Sequence, residues 1–285
     1  MLAIAGLIIA GLLSGPREVP YQNDKYQVPP PDATPPPLPR PTSEAEARDL
    51  TTKNSLYTQQ VPLPVRCNEP PAGELSDQQL KAHFENLIAC MVRVWQPPVT
   101  GAGRVITRPT VTIYSDRITT RGCGDAGVNA LYCSGDQQIY FSNKLIPATP
   151  ELVKNRWAAD IILAHEFGHL VQARAGILTS VYVLRDNARS KDGDFQIARR
   201  KEQQADCLSG MFTRAVSRSL DIKQSELDDI EAVLAALGDD VLSGNPQIVG
   251  DHGWSANRRY WHISGLSTSD VSACNTFVAP TTRVR

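Results

Sequence analysis

Apolar residues recur at the spacing of one helix face between Ser76 and Trp95, where Leu80, Phe84, Leu87, Ile88, Met91 and Trp95 fall in line. Ser76 is placed to cap this helix and the Pro97-Pro98 pair to end it. His83 stands beside the apolar face and reads as a histidine packed at its surface edge. β-Branched and aromatic residues at Val111 to Tyr114 and at Gln138 to Ser142 predict two strands, separated by a turn-rich loop. A long helix is predicted from Pro150 to Ala175, with Thr149 as its cap, Pro150 in its first turn and Gly176 as its stop. Arg199 to Phe212 reads as a second helical segment. Ser225 to Leu237 reads as a third, opened by Ser-x-x-Asp and closed by Gly238. Helices with a few short strands make an α+β body, and no internal repeat is visible.

The head of the chain is different. Leu2 to Leu13 is an unbroken apolar run with no charge before Arg17. As a helix it spans about 18 Å, short of the roughly 30 Å hydrocarbon core, and so predicts a signal peptide or signal-anchor over residues 1–14 rather than a full span. Twelve of the 21 prolines lie in the first 66 residues, eight of them between Pro29 and Pro41. Such a run favours extended polyproline II, so residues 15–59 are expected to be a disordered, flexible Pro-rich stalk ahead of a body at 60–285.

Charge narrows the function. With 29 Lys+Arg against 30 Asp+Glu over 285 residues, and a pI near 6.5, no nucleic-acid partner is expected. All six cysteines lie in the body and none forms C-x-x-C, which argues against a structural zinc knuckle. An even number in a chain with an export signal reads as three disulfides outside the cytoplasm; buried free thiols are the alternative. Six cysteines allow 15 pairings, and Cys123 and Cys133 are near enough to close a local loop.

The chemistry centres on His165-Glu166-Phe167-Gly168-His169 in the long predicted helix. Two histidines four apart project from one face about 40° apart and can hold one metal ion. Glu166, beside the first, is placed to activate a water. A catalytic zinc needs three protein ligands and an open position. Glu202, in Glu-x-x-x-Asp on the next helical segment, can be the third, and Asp206 one turn on can accept the spare ring N–H of a ligating histidine. No histidine follows at short spacing; the first later one, His252, is the candidate oxyanion donor, and its alternative is a histidine tying down its own turn. Tyr140 and Tyr260 are further donor candidates. The predicted strand at Gln138 to Ser142 is a candidate to pair with an extended substrate.

Taken with C-G-D-A and Y-C-S-G-D-Q-Q-I-Y between Cys123 and Tyr140, G-D-D at Gly238 to Asp240, H-G-W-S-A-N-R-R-Y-W from His252 and C-N-T-F near the end, these motifs resemble the bacterial putative neutral zinc metallopeptidases, from about Leu80 to Phe277. That family is similar to the gluzincins. The resemblance implies an α+β, gluzincin-like domain with its active-site helix packed on a small antiparallel sheet. It implies one zinc ion on His165, His169 and Glu202, Glu166 as general base, and Asp206 supporting His165. It also implies bridges Cys123–Cys133 and Cys207–Cys274, with Cys67–Cys90 the remaining pair. Two positions depart from the pattern. Leu170 stands where a histidine is frequent, and Val-Asn-Ala-Leu-Tyr precedes Cys133 in place of the more usual Gly-Pro-Phe-Tyr. The function expected is an exported zinc endopeptidase of the cell envelope acting on protein or peptide, either membrane-anchored through the apolar head or secreted. The alternatives are a non-catalytic zinc-stabilised envelope protein and a zinc amidase acting on wall peptide.

Overall fold

A computed structural model of the protein describes residues 19–285. The Leu2–Leu13 run, and with it the expected signal or anchor, lies outside these. Among the described residues no helix is long and apolar enough to cross a membrane.

The chain is α+β. In order it forms α1 (Glu44–Thr52), α2 (Asp77–Gly101), β1 (Val111–Tyr114), β2 (Ile118–Thr120), β3 (Gly124–Ala126), β4 (Ala130–Cys133), β5 (Gln138–Ser142) and α3 (Leu145–Ala148). Then follow α4 (Ala158–Arg174), α5 (Ile177–Asp186), α6 (Lys191–Val216), α7 (Leu227–Ala236), α8 (Asp239–Leu242) and α9 (Ser255–Ser267). The main sheet is small and mixed rather than antiparallel. Its order is β1-β5-β4, with β1 parallel and β4 antiparallel to β5. β2 and β3 form a separate antiparallel ribbon. β5 is therefore paired on both sides and has no free edge for a substrate, which corrects the expectation for Gln138 to Ser142. β1 and β4 are the two edge strands, and β4 is the one whose residues Ala130 to Tyr132 line the cavity described below.

Helix α4 is buried on nearly every side, its apolar and its chemical residues alike. A helix apolar all round belongs at the centre of a core, and α2, β4, α5, α6 and α7 all pack on it. The Phe84 and Phe141 rings meet edge-on, 4.8 Å apart, where α2 covers the sheet. α4 begins eight residues later than Pro150. The Asn155 side chain accepts from the Trp157 N–H at 3.0 Å, an Asx turn that sets the helix start in place of Thr149. Gly176, at φ 80°, stops it and turns the chain at once into α5.

α2 runs through Pro97 and Pro98 to Gly101 instead of ending before them. Pro97 lacks the N–H that would bond the Arg93 carbonyl. The Asn23 amide supplies that donor at 2.7 Å. The donor comes from the segment expected to be free, and it is one of several such contacts. Pro29–Pro41 presents thirteen carbonyls but only five N–H groups, and the body provides donors to the carbonyls. Arg174 and Gln137 both donate to the Pro36 carbonyl at 2.9 Å, Thr179 to Pro39 at 2.6 Å, and Gln138 to Asp32 at 3.0 Å. α1 packs on α5 with Ala47 fully buried. Over the described residues 19–59, then, the chain runs extended through its prolines before folding into α1, and it is strapped to the body where a flexible stalk is expected from composition.

Three disulfides form, Cys67–Cys90, Cys123–Cys133 and Cys207–Cys274, and no cysteine is free among the described residues. His83 is buried rather than at a surface edge; it bonds Asp160 at 2.7 Å and lies 3.5 Å from Glu69.

Candidate metal centre

α4 and α6 approach closely because Gly168 faces Ala205: a Cβ there would stand 3.1 Å from the Ala205 Cα. This contact sets His165 and His169 of α4 against Glu202 of α6. One donor atom from each of the three lies within 4.8 Å of the others, all three side chains buried. Glu202 Oε2 is 3.1 Å from His165 Nε2 and 3.2 Å from His169 Nε2.

The outer side of each ring is fixed. His165 Nδ1 donates to Asp206 Oδ1 at 2.7 Å, and His169 Nδ1 donates to Gln172 Oε1 at 2.8 Å. Gln172 in turn donates to the Lys201 carbonyl at 2.8 Å, which leaves its Oε1 as the acceptor. With both Nδ1 atoms donating outward, a neutral imidazole turns a bare lone pair inward. Two such lone pairs then face one carboxylate oxygen, an arrangement that repels unless a cation or protons lie between them. Two imidazoles and a carboxylate are the donor types zinc takes, so the residues present fit a divalent ion.

Electrostatics agree with this. Burial alone would push the His165 imidazole down, but its hydrogen bonds to Asp206 and Glu202 outweigh it and raise the pKa to about 9. Burial likewise opposes ionisation of Glu202, yet the Lys201 ammonium and the two histidines hold it well below the usual carboxylate range. Asp206 is fully buried and kept ionised by Arg258 and His165.

Glu166 lines the same cavity, of about 290 Å³, and stands outside the donor cluster. Its Oε2 accepts from the Tyr132 N–H of β4 at 2.7 Å. His252 also lines the cavity, half-exposed, with Nδ1 3.0 Å from Asp251 Oδ1; that contact raises its pKa. Tyr140 and Tyr260 are not brought to the cavity. The Tyr140 hydroxyl donates to Asp136 at 2.6 Å, and the Tyr260 ring lies under the Arg283 guanidinium. Leu170 is wholly buried in the apolar core.

Three partners of the site are absent from the sequence reading. Arg258 lies inside a quoted motif but carries no spacing that marks a role. Gln172 is three residues after His169, a position from which a helix side chain can reach it. Lys201 precedes Glu202, and adjacent helix positions do not ordinarily face one another.

No solved structure matches the chain. An uncharacterized protein of Mycobacterium tuberculosis is 28% identical over 249 residues, 77% of this chain and 81% of that protein. The uncharacterized protein YpfJ of Escherichia coli K12 is 28% identical over 205 residues, 67% of this chain and 69% of its own length. Residues 48–277 match the family described as Putative neutral zinc metallopeptidase. The chain belongs to that family, whose name implies zinc.

Proposed function

We propose that the protein is an exported, zinc-dependent endopeptidase, with zinc held by His165, His169 and Glu202. The observation that carries the reading is the placement of Glu166: an acid that lines the donors' cavity without joining the donor cluster. A site for stability alone closes with four protein donors, whereas three with an open side is the catalytic arrangement. Zinc supplies Lewis acidity, acidifying a water and polarising an amide carbonyl.

The chain's own residues do the rest. Glu166 takes the proton of the attacking water and delivers it to the leaving amine, its carboxylate aimed by the Tyr132 amide. Asp206 and Gln172 keep both imidazoles with Nε2 inward. His252, held by Asp251, donates to the oxyanion. The open edge of β4 aligns the substrate backbone. Antiparallel pairing alternates, and the Ser142 N–H bonds the Asn129 carbonyl, so Ala130 and Tyr132 turn their backbone groups away from β5. Tyr132 spends its N–H on Glu166; Ala130 has both groups for a peptide. Three disulfides support a location outside the cytoplasm.

The test is cleavage of a peptide library by the zinc-loaded full chain beside Glu166→Gln. Cleavage by the wild type alone supports the mechanism. Equal cleavage by both removes Glu166 from it, and no cleavage by either, with zinc bound, overturns the peptidase reading.

A further inference from the structure

Lys201 touches the donor set twice. Its backbone carbonyl accepts from Gln172, which fixes His169, and its ammonium sits 2.5 Å from Glu202 Oε1. The second contact is not a generic helix-surface pair. Neighbouring helix positions point about 100° apart, so the Lys201 stem must fold back to reach Glu202. It does so with 17% of its side chain exposed, and it lines the cavity. The two Glu202 oxygens are thereby divided: Oε2 faces both histidines, and Oε1 faces the ammonium.

Asp206 shows the same construction. Its carboxylate supports His165, and Arg258 covers it from outside. Each acidic group bound to the histidine pair thus has its own cation, a partly buried lysine and a buried arginine. A carboxylate with both oxygens free can chelate a metal ion and fill two positions. One with an oxygen held by a cation offers a single donor atom.

We propose that Lys201 is a positioning residue that restricts Glu202 to one-oxygen ligation and so keeps a position open for the reaction. The inference rests on the zinc reading above, but its first readout does not need activity. In Lys201→Met the backbone carbonyl to Gln172 remains and only the ammonium is lost. Cobalt loaded into the full chain reports coordination number through the intensity of its visible absorption. Wild type is expected to give the strong bands of a four-coordinate ion. Lys201→Met is expected to bind cobalt stoichiometrically with bands several-fold weaker, as Glu202 closes onto the metal, and Lys201→Arg to restore them. In the zinc enzyme kcat should fall about tenfold or more, with little change in KM. If Lys201→Met does not fold, by circular dichroism, Lys201→Gln carries the same comparison. A cobalt spectrum unchanged by loss of the ammonium overturns the proposal. Weaker bands in Lys201→Met, with no peptide cleaved by the zinc-loaded wild type, uphold it while overturning the peptidase reading.

Discussion

Arg258 and Asp206 form a buried two-pronged pair: Nε reaches Oδ2 at 3.0 Å and Nη2 reaches Oδ1 at 2.8 Å, while that same Oδ1 accepts from His165. The third arm of the guanidinium donates to the Leu237 carbonyl at the end of α7. One residue of α9 therefore joins the histidine of α4, the aspartate of α6 and the C-terminus of α7. The approach is possible because Gly265 of α9 lies against the Cys207 backbone, where any side chain would collide.

Arg258→Met leaves a buried carboxylate with a single imidazole for partner. Losing one member of a buried pair costs about 3–5 kcal/mol. A disturbed support for a ligating histidine weakens metal binding about 10–100-fold. Urea unfolding and zinc titration against a competing chelator measure the two effects. Arg258→Lys keeps the charge and not the fork, and is expected to fall between methionine and wild type.

Much of this centre was legible in the sequence, and the reasons differ by residue. His165, Glu166, His169, Glu202 and Asp206 lie at fixed spacings on two helices, and helix geometry converts spacing into shared faces. Arg258 and Lys201 escape that logic. Arg258 meets Asp206 across 52 positions, and Lys201 folds back onto its neighbour. The boundaries of α2 and α4 do not follow from helix periodicity because side chains outside each helix set them: Asn23 carries α2 through Pro97, and Asn155 delays the start of α4. The proline-rich head misleads for a related reason. Composition indicates that such a segment cannot pair with itself, and it is silent on whether the body offers donors to its carbonyls.

Zinc binding should strengthen with pH. In the metal-free protein His165 titrates at about 9, above its unfolded value of about 6.5. Its charged form therefore stabilises the metal-free fold fully below about pH 6.5, and that contribution is lost as pH rises through about 9. Zinc needs the neutral ring, so below pH 9 each ion must displace this proton. Affinity is expected to rise about tenfold per unit from pH 7 to 9 and then level off. Chelator competition across that range checks the slope, and thermal melts of the metal-free protein should shift the opposite way. Equal affinities at pH 7 and 9 would sink the assignment.

The Cys207–Cys274 bridge anchors α6 beside Asp206 to the C-terminal segment, across a sequence separation of 67. Loop-closure entropy gives such a bridge about 4 kcal/mol, against about 3 kcal/mol for the ten-residue loop of Cys123–Cys133. Removing both cysteines of each pair to alanine should lower the melting temperature more for the first than for the second. The first should also weaken zinc binding, because it loosens the helix that carries Glu202.

The β4 edge separates substrate alignment from chemistry. Ala130 sits at the start of the strand with its backbone groups turned from β5, so proline there removes an outward N–H without breaking a ladder bond. Zinc content and the Glu166–Tyr132 contact should be unaffected. Long peptides, which depend on backbone pairing, should lose kcat/KM by about tenfold, the value of roughly one hydrogen bond of 1.4 kcal/mol. Short substrates that end before Ala130 should be cleaved nearly as by wild type. A uniform loss across substrate lengths would instead mean that the proline disturbs the Glu166 carboxylate through Tyr132. Unchanged kinetics on every peptide would leave the edge without a part in binding.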